Sequence, residues 1–327
     1  MSDYKGLMVF AEQRDGRIHP VSYELLGKGK EIAKRLNAEL SSVLLGSQME
    51  EEAKELIYYG ADRVFLYDGP PLKEFNLLNY KHNIVKLIEE VKPEIVLFGA
   101  THLGRSLGPR IAVALNTGLT ADCIGLDVDE DGNLVQIRPA FSGNILAYIK
   151  TSTRPQMSTI RYKVMQKHER DPGRRGEIIV KDVQLVDPLL TIMNKERSSE
   201  TNIAEADVIV SGGRGLKRPE DFEILQGLAD LFGGVVGSSR PLVDDGWIGK
   251  EHQVGFSGNT VKPKVYIACG ISGSPQHLAG MRGADTIVAI NVDPSAPIFK
   301  VADYGIVGDL YEIVPQLTSQ IKGRYSK

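Results

Sequence analysis

The chain has 327 residues, 42% of them apolar, and its 39 Lys and Arg against 42 Asp and Glu leave a formal charge of −3. That balance gives no field to attract nucleic acid or an anionic membrane surface. No apolar stretch reaches the roughly 18 residues of a membrane span, and the opening MSDYKGLMVFAE has no leader pattern, so neither membrane insertion nor export is expected. Single cores rarely grow past about 250–300 residues, so two domains are expected. Cys123 and Cys269 follow no metal-ligand spacing and fit a reducing compartment, the cytoplasm, with an organelle matrix after processing as the alternative.

Residues 6–10 are a short apolar run, 22–36 carry helical spacing, and 40–45 again read as a strand. A helix over 50–59 ends at Gly60 and a strand follows at 63–67. After the Gly69-Pro70-Pro71 break come a helix at 80–91, a strand at 94–99 and a helix at 107–115. This alternation implies right-handed crossovers and a parallel sheet covered on both faces. From Cys123 the pattern changes to short strands at 123–128, 134–138, 145–150 and 157–161, separated by Asp131-Gly132, Gly143-Asn144 and Pro155. They read as a hairpin extension added to the sheet. Thr101-His102-Leu103-Gly104-Arg105 falls where a strand hands over to a helix, a usual ligand or partner position in open α/β sheets. His102 is a candidate functional group there, and a loop-packing role stands beside it. His19, His82, His102, His168, His252 and His277 share no local spacing, and no Ser-His-Asp, Cys-His or paired-carboxylate set can be assembled. The polar run 168–176 reads as a solvated turn, 177–186 as a strand, and the charged segment 195–201 as the boundary between domains 1–196 and 197–327.

The second half opens on an apolar strand, 206–210, that runs into Ser211-Gly-Gly-Arg-Gly-Leu-Lys217. Pro219 starts a helix with Glu220 and Asp221 in its first turn. A strand at 233–237 delivers Ser238-Ser239-Arg240-Pro241, and Val254-Gly-Phe-Ser-Gly258 lies beyond it. The apolar run 265–269 stops at Gly270, a short helical pattern carries Gln276 and His277, and a strand at 286–290 follows. Asp303-Tyr-Gly-Ile-Val-Gly-Asp309 then leads into a last helix at 310–321. At Gly270 the missing Cβ lets backbone N–H groups approach a ligand, and a helix starting at Pro275 favours phosphate oxygens. Taken alone the turn is equally an ordinary strand-to-helix connection, and it departs from the G-x-G-x-x-G of dinucleotide folds. Five polar or glycine-rich turns within roughly 100 residues, the turn 254–258 among them, each read as lying at the end of an apolar strand, converge on one crevice of an open parallel sheet, which points to a large cofactor.

The blocks SGGRG, SSRPLVDDGW, VGFSG, CGISGSPQHLAGM and AINVDPSAPIFKVADYGIVGDL, in this order and spacing over about 204–322, resemble the FAD-binding domain of the electron-transfer flavoprotein alpha subunit. The first half resembles the same family's N-terminal domain more loosely, through its alternating elements and the blocks Thr117-Gly-Leu-Thr-Ala-Asp-Cys123 and Arg138-Pro-Ala-Phe-Ser-Gly-Asn144. The resemblance implies an α/β fold of two domains, each an open, mostly parallel sheet with flanking helices. One FAD is expected in the second domain, and the first is expected to pack on a beta subunit holding a second FAD or AMP. By the same resemblance, Arg240 lies against the isoalloxazine ring, where a guanidinium that cannot lose its proton favours negative charge on the reduced ring. Ser257 falls near N5, and His277 near the carbonyl O2. Arg214, Ser239, Gly255, Ser272, Gly273 and Gln276 match the ribityl and pyrophosphate path, and Asn291 and Asp309 the adenosine half. Val254, Phe256, Gly270, Ile271, Ser274 and Leu310 complete the expected contact set. Phe256 stands where many relatives have a polar residue and is assigned packing only, as is Cys269.

The function so implied is electron carriage, with no general acid or base acting on an organic substrate. The expected partners are the beta subunit, in a heterodimer, and an acyl-CoA or related dehydrogenase. In a bifurcating version NADH reduces the beta-subunit flavin and ferredoxin or flavodoxin takes one of the two electrons. In a simple version electrons pass from an acyl-CoA dehydrogenase toward a quinone reductase. The blocks TGLTADC and RPAFSGN look more like the bifurcating kind. The second domain is expected to move as a body about 195–201. Two other classes stand beside this: an adenine-nucleotide-binding regulatory protein, which would not need Arg240, Ser257 and His277 together, and a nicotinamide dehydrogenase, which lacks both its glycine fingerprint and a proton donor.

Overall fold

A computed structural model describes residues 3–140, 145–186, 192–194 and 202–325. The chain divides into two compact units, Met1–Asn194 and Lys195–Lys327. The Gly143-Asn144 turn and the segment 195–201 lie outside the described residues.

In the first unit the elements run β1 (Leu7–Ala11), β2 (Gln13–Arg14), β3 (Arg17–Ile18), α1 (Pro20–Leu36), β4 (Leu40–Gly46), α2 (Glu50–Tyr58), β5 (Arg63–Asp68), α3 (Leu77–Val91), β6 (Ile95–Gly99) and α4 (His102–Ala114). There follow β7 (Leu119–Cys123), β8 (Gly125–Val128), β9 (Leu134–Ala140), β10 (Ile145–Ile149), β11 (Gln156–Ile160) and β12 (Glu177–Val180). Seven strands form one parallel sheet in the order β12-β5-β4-β1-β6-β11-β7. Its central strand β1 is buried along its whole length, so both faces are apolar, and a separate core packs on each.

Several boundaries differ from the sequence reading. Helix α3 begins at Leu77 because the side-chain Oδ1 of Asn76 accepts from the backbone N–H of both Leu78 and Asn79, each at 3.1 Å. Helix α4 begins at His102 because Thr101 Oγ1 accepts from Gly104 N at 3.0 Å, which makes His102 an exposed first-turn residue. The expected strand 123–128 is two strands that break at Ile124. The expected hairpin extension is in fact a separate antiparallel sheet, β10-β9-β8, while β11 joins the parallel sheet between β6 and β7. Every residue of β11 is buried, and its polar members are satisfied internally: Gln136 Nε2 donates to Ser158 Oγ at 2.8 Å, and Gln156 Oε1 accepts from Leu134 N at 3.0 Å. The strand expected to reach residue 186 stops at Val180, where its pairing with β5 ends.

The second unit contains β13 (Val208–Gly212), α5 (Phe222–Ala229), β14 (Val235–Ser238), α6 (Arg240–Asp244), β15 (Val265–Cys269), α7 (Pro275–Met281), β16 (Thr286–Asn291), β17 (Tyr304–Val307) and α8 (Leu310–Tyr325). Its five strands are parallel, in the order β14-β13-β15-β16-β17. From β13 the chain crosses to β14 on one side and then back to β15 on the other. The carboxyl ends of β13 and β15 therefore flank a topological switch point, where open sheets leave a crevice. Apolar clusters cover both faces. No helix among the described residues is long and apolar enough to cross a membrane.

Candidate functional site

At the switch point the loops leaving β13 and β15 meet backbone to backbone. Gly213 N donates to the Cys269 carbonyl and Gly215 N to that of Gly270, both at 3.0 Å. Gly270 has φ +62°, and a Cβ there would lie 2.7 Å from Gly215 Cα, so neither a side chain nor its usual backbone conformation fits. Beneath this contact sits the buried Leu310, at the start of α8. Gly273, at φ +87°, is equally closed: a Cβ would stand 2.4 Å from Ile298 N, which donates to the Ser272 carbonyl at 3.0 Å. Asn291 spends its amide on the same loop, donating to the Ile271 carbonyl at 2.9 Å and accepting from Asp293 N at 3.0 Å. At the far end of the β13 loop, Lys217 N donates to Tyr311 Oη at 2.7 Å, and the tyrosine hydroxyl donates to Asp221. Burial works to raise the Asp221 pKa, but donation from Tyr311, Arg218 and two backbone N–H groups outweighs it and holds the carboxylate ionised.

The turn 254–258 is not at a strand end, contrary to the sequence reading. It packs on α7, where Phe256 N donates to the Gln276 carbonyl at 2.8 Å and a Cβ on Gly280 would fall 2.4 Å from Gly255 Cα, and it is tied to the end of β14 by Val254 N, which donates to the Ser238 carbonyl at 2.9 Å. Phe256 and Ser257 are exposed, and so are Arg214, Ser272, Ser274 and Gln276. Sequence reasoning missed Gln253. This residue is buried and donates through Nε2 to Ser257 Oγ at 3.0 Å; a polar residue four before the serine was its only trace. Arg240 is the first residue of α6 and is exposed, with Nε 3.0 Å from Asp244 Oδ2 one turn on. The buried Ser239 precedes it, its N–H donating to the Gly212 carbonyl at 2.9 Å. Asp309 caps α8 by accepting from Tyr311 N at 2.9 Å.

His277 is buried, with Nε2 2.9 Å from Tyr266 Oη, while its Nδ1 has no hydrogen-bond partner. Burial pushes its pKa down to about 4, against a smaller raising effect of the Val254 carbonyl, so the ring is neutral near pH 7. Ser211 Oγ at the end of β13 is a second buried polar atom without a partner. Burial pushes the Cys269 thiol up to about 12, in keeping with a packing role. The first unit also has a polar cavity, lined by Gln13, Ser47, Lys73 and Glu74 among others, and none of its lining residues was a sequence candidate.

Glycine loops packed backbone to backbone at a switch point, two exposed arginines and two buried polar atoms in want of partners suit a phosphorylated ligand that also carries hydrogen-bonding ring atoms. The fold and site thus define a nucleotide-cofactor-binding protein of the doubly wound α/β class. Residues 7–186 match the model of the electron transfer flavoprotein domain, and residues 202–282 that of the electron transfer flavoprotein FAD-binding domain. The chain is 51% identical over 327 residues to an electron transfer flavoprotein subunit alpha of Thermoanaerobacterium thermosaccharolyticum, covering 98% of this chain and 99% of the relative. It is 45% identical to subunit LctC of the lactate dehydrogenase (NAD(+),ferredoxin) of Acetobacterium woodii, covering 98% of this chain and 78% of the relative. To the acryloyl-CoA reductase electron transfer subunit beta of Anaerotignum propionicum it is 41% identical, covering 98% and 97%. The chain belongs to the electron transfer flavoprotein alpha-subunit family. It is an FAD-binding electron carrier, and as an alpha subunit it has a beta subunit for its partner. Asn291, Asp309 and Leu310 lie beyond the stretch that the FAD-binding model matches. The regulatory-nucleotide and nicotinamide readings give way to this membership.

Proposed function

We propose that this subunit works in a bifurcating complex and that the switch-point crevice of its second unit holds FAD. The observation that carries the site is the backbone contact between Gly215 and Gly270, and the unpartnered Nδ1 of His277 lies in the same unit. FAD, when bound, supplies one- and two-electron redox chemistry. The chain binds and tunes it. Backbone N–H groups of 271–273, Arg214, Ser239, Ser272, Ser274 and Gln276 take the ribityl and pyrophosphate groups, with Val254, Gly255, Ile271 and Gly273 as close-packed walls and Phe256 as an exposed apolar flank. Asp309 receives the adenosine ribose. Asn291 acts through the Ile271 carbonyl that it holds, and Leu310 supports the glycine contact from below. Arg240 provides a fixed positive charge, the Ser257 hydroxyl serves N5, and His277 offers a neutral donor to a ring carbonyl.

The bifurcating assignment is supported by the similarity to the lactate dehydrogenase (NAD(+),ferredoxin) and acryloyl-CoA reductase subunits. In this reading NADH reduces a second FAD in the beta subunit. An acyl-CoA or hydroxyacid dehydrogenase accepts electrons from this chain, and ferredoxin or flavodoxin accepts the other electron. Anaerobic reductive titration of the complex with its beta subunit tests both parts. One FAD lost with Gly270→Ala would support the site, and flavin reduction by NADH would support bifurcation. A complex that stays oxidised under NADH yet is reduced by an acyl-CoA dehydrogenase would instead be the simple carrier, with AMP in the beta subunit.

A further inference from the structure

Tyr311 stands one residue beyond the contact set expected from the sequence, in the first turn of α8, and it joins two parts of the proposed site that lie far apart in the chain. Its backbone N–H donates to Asp309 Oδ1 at 2.9 Å, and its hydroxyl reaches the loop that leaves β13, where Lys217 N donates to it at 2.7 Å. The same hydroxyl donates to Asp221, just ahead of α5, and Lys217 Nζ lies 4.5 Å from the centre of the ring. No choice of proton position is open here. A backbone N–H can only donate and an ionised carboxylate can only accept, so the hydroxyl takes one bond and gives the other.

The ring is half-buried against the apolar cluster that includes Leu216, Leu225 and Leu310, and a phenylalanine would serve that packing equally. Nor do the neighbours need the hydroxyl for their own satisfaction. Lys217 N also donates to Asp221 Oδ2 at 3.1 Å, and the carboxylate accepts in addition from Arg218 N at 3.1 Å and Arg218 Nε at 3.2 Å. What the hydroxyl adds is a tie between the start of α8 and the β13 loop. That loop is pinned by the β15 loop at Gly213 and Gly215 and by Tyr311 at Lys217, and the exposed Arg214 lies within the stretch so held.

We propose that Tyr311 is a positioning residue for the adenosine diphosphate half of the cofactor. Its N–H fixes the Asp309 carboxylate and its hydroxyl fixes the loop of Arg214, so that the group for the ribose and the cation for the pyrophosphate stand at a set spacing before FAD arrives. A loop already ordered loses no further freedom on binding, and the gain appears as slower release of the ligand. The proposal rests on the reading that the switch-point crevice holds FAD with Arg214 and Asp309 on its adenosine diphosphate half.

The test follows FAD release from the complex with the beta subunit after dilution, by flavin fluorescence, and assigns to this chain the release phase that is missing in Gly270→Ala. Tyr311→Phe keeps the ring and the backbone N–H and removes only the hydroxyl. It is expected to speed that phase by roughly two- to tenfold, the worth of one hydrogen bond. The midpoint potential of the flavin is expected to stay unchanged, because the isoalloxazine is the other end of the cofactor. Arg214→Gln is expected to speed release as well, and the double variant to release FAD no more than about twofold faster than Arg214→Gln alone, since the tie has no guanidinium left to place. Native release in Tyr311→Phe, a shifted potential, or effects of the two substitutions that multiply in full would overturn the role of Tyr311 while leaving the site reading standing. Native release in Arg214→Gln, or a Gly270→Ala complex that keeps every release phase, would overturn the site reading, and with it the purpose given to the tyrosine.

Discussion

The roles proposed for Arg240 and His277 use opposite states of charge, and each leads to a separate measurement. The Arg240–Asp244 pair is exposed on both sides, and such pairs add little to stability. Arg240→Ala is therefore expected to change the unfolding free energy by no more than about 0.5 kcal/mol. In the FAD-loaded complex it should lower the potential of the first electron by about 60 mV or more, a tenfold loss of preference for the reduced ring. Thermal unfolding beside potentiometric titration checks both, and a stability loss without a potential change would sink the assigned role. The role proposed for His277 depends on its being neutral. Its folded pKa is depressed to about 4, below the usual value for an unfolded chain, so the unfolded state takes up the proton first. The stability so conferred is fully present above about pH 6.5 and is lost as pH falls through 4, roughly 3 kcal/mol in all. Urea unfolding of the complex at pH 7 and pH 4 should show a steeper loss for the native protein than for His277→Gln. Both residues entered as candidates through their place in the family blocks. Gln253 and Tyr266 did not, because a buried glutamine and an apolar-strand tyrosine carry no local mark of the hydroxyl or ring nitrogen that they meet.

Glycines and caps decide how the elements meet. Gly270→Ala is expected to cost about 1–3 kcal/mol, since it combines a positive φ with a Cβ pressed on Gly215, and to strip the second unit of FAD by opening the cradle. Gly227→Ala is the control. It lies within α5 with nothing within 4 Å of its would-be Cβ, so a gain of up to ~1 kcal/mol is expected with flavin content unchanged. Thr101→Ala removes the cap of α4 and also the hydroxyl that donates to the buried Glu12, so a loss of about 1–3 kcal/mol is expected in denaturant unfolding, with FAD retained. These caps explain why the expected onsets of α3 and α4 fell late. Apolar spacing marks the buried face of a helix, and that face begins only after the first polar turn. The break between β7 and β8 was invisible for a different reason: one apolar run feeds two sheets, and only pairing partners separate them.

Across the whole chain, membership of the alpha-subunit family and the two parallel sheets account for a carrier that needs no acid–base constellation of its own. The choice between bifurcating and simple carriage is a property of the assembled complex. NADH is expected to reduce flavin in the heterodimer under anaerobic conditions, and ferredoxin to be reduced only while the acceptor dehydrogenase turns over. Equal ferredoxin reduction without that acceptor would contradict coupling of the two electrons. In the isolated chain NADH should reduce nothing, since the hydride-accepting flavin is assigned to the beta subunit.

The sequence by itself determined the alternation of strands and helices, the division of labour between a loosely matched first half and a turn-rich second half, and the family. All three are written along the chain, in hydrophobic period and in the order and spacing of short blocks. Which turns meet was decided only in three dimensions. The strand order β14-β13-β15 puts Gly215 against Gly270, α7 carries the turn 254–258 that was expected at a strand end, and the same packing brings the Tyr266 hydroxyl to His277. Contacts of this kind join residues that share no local pattern. Their partners are set by close packing and by the need to satisfy buried polar groups, and neither acts before the sheet has formed.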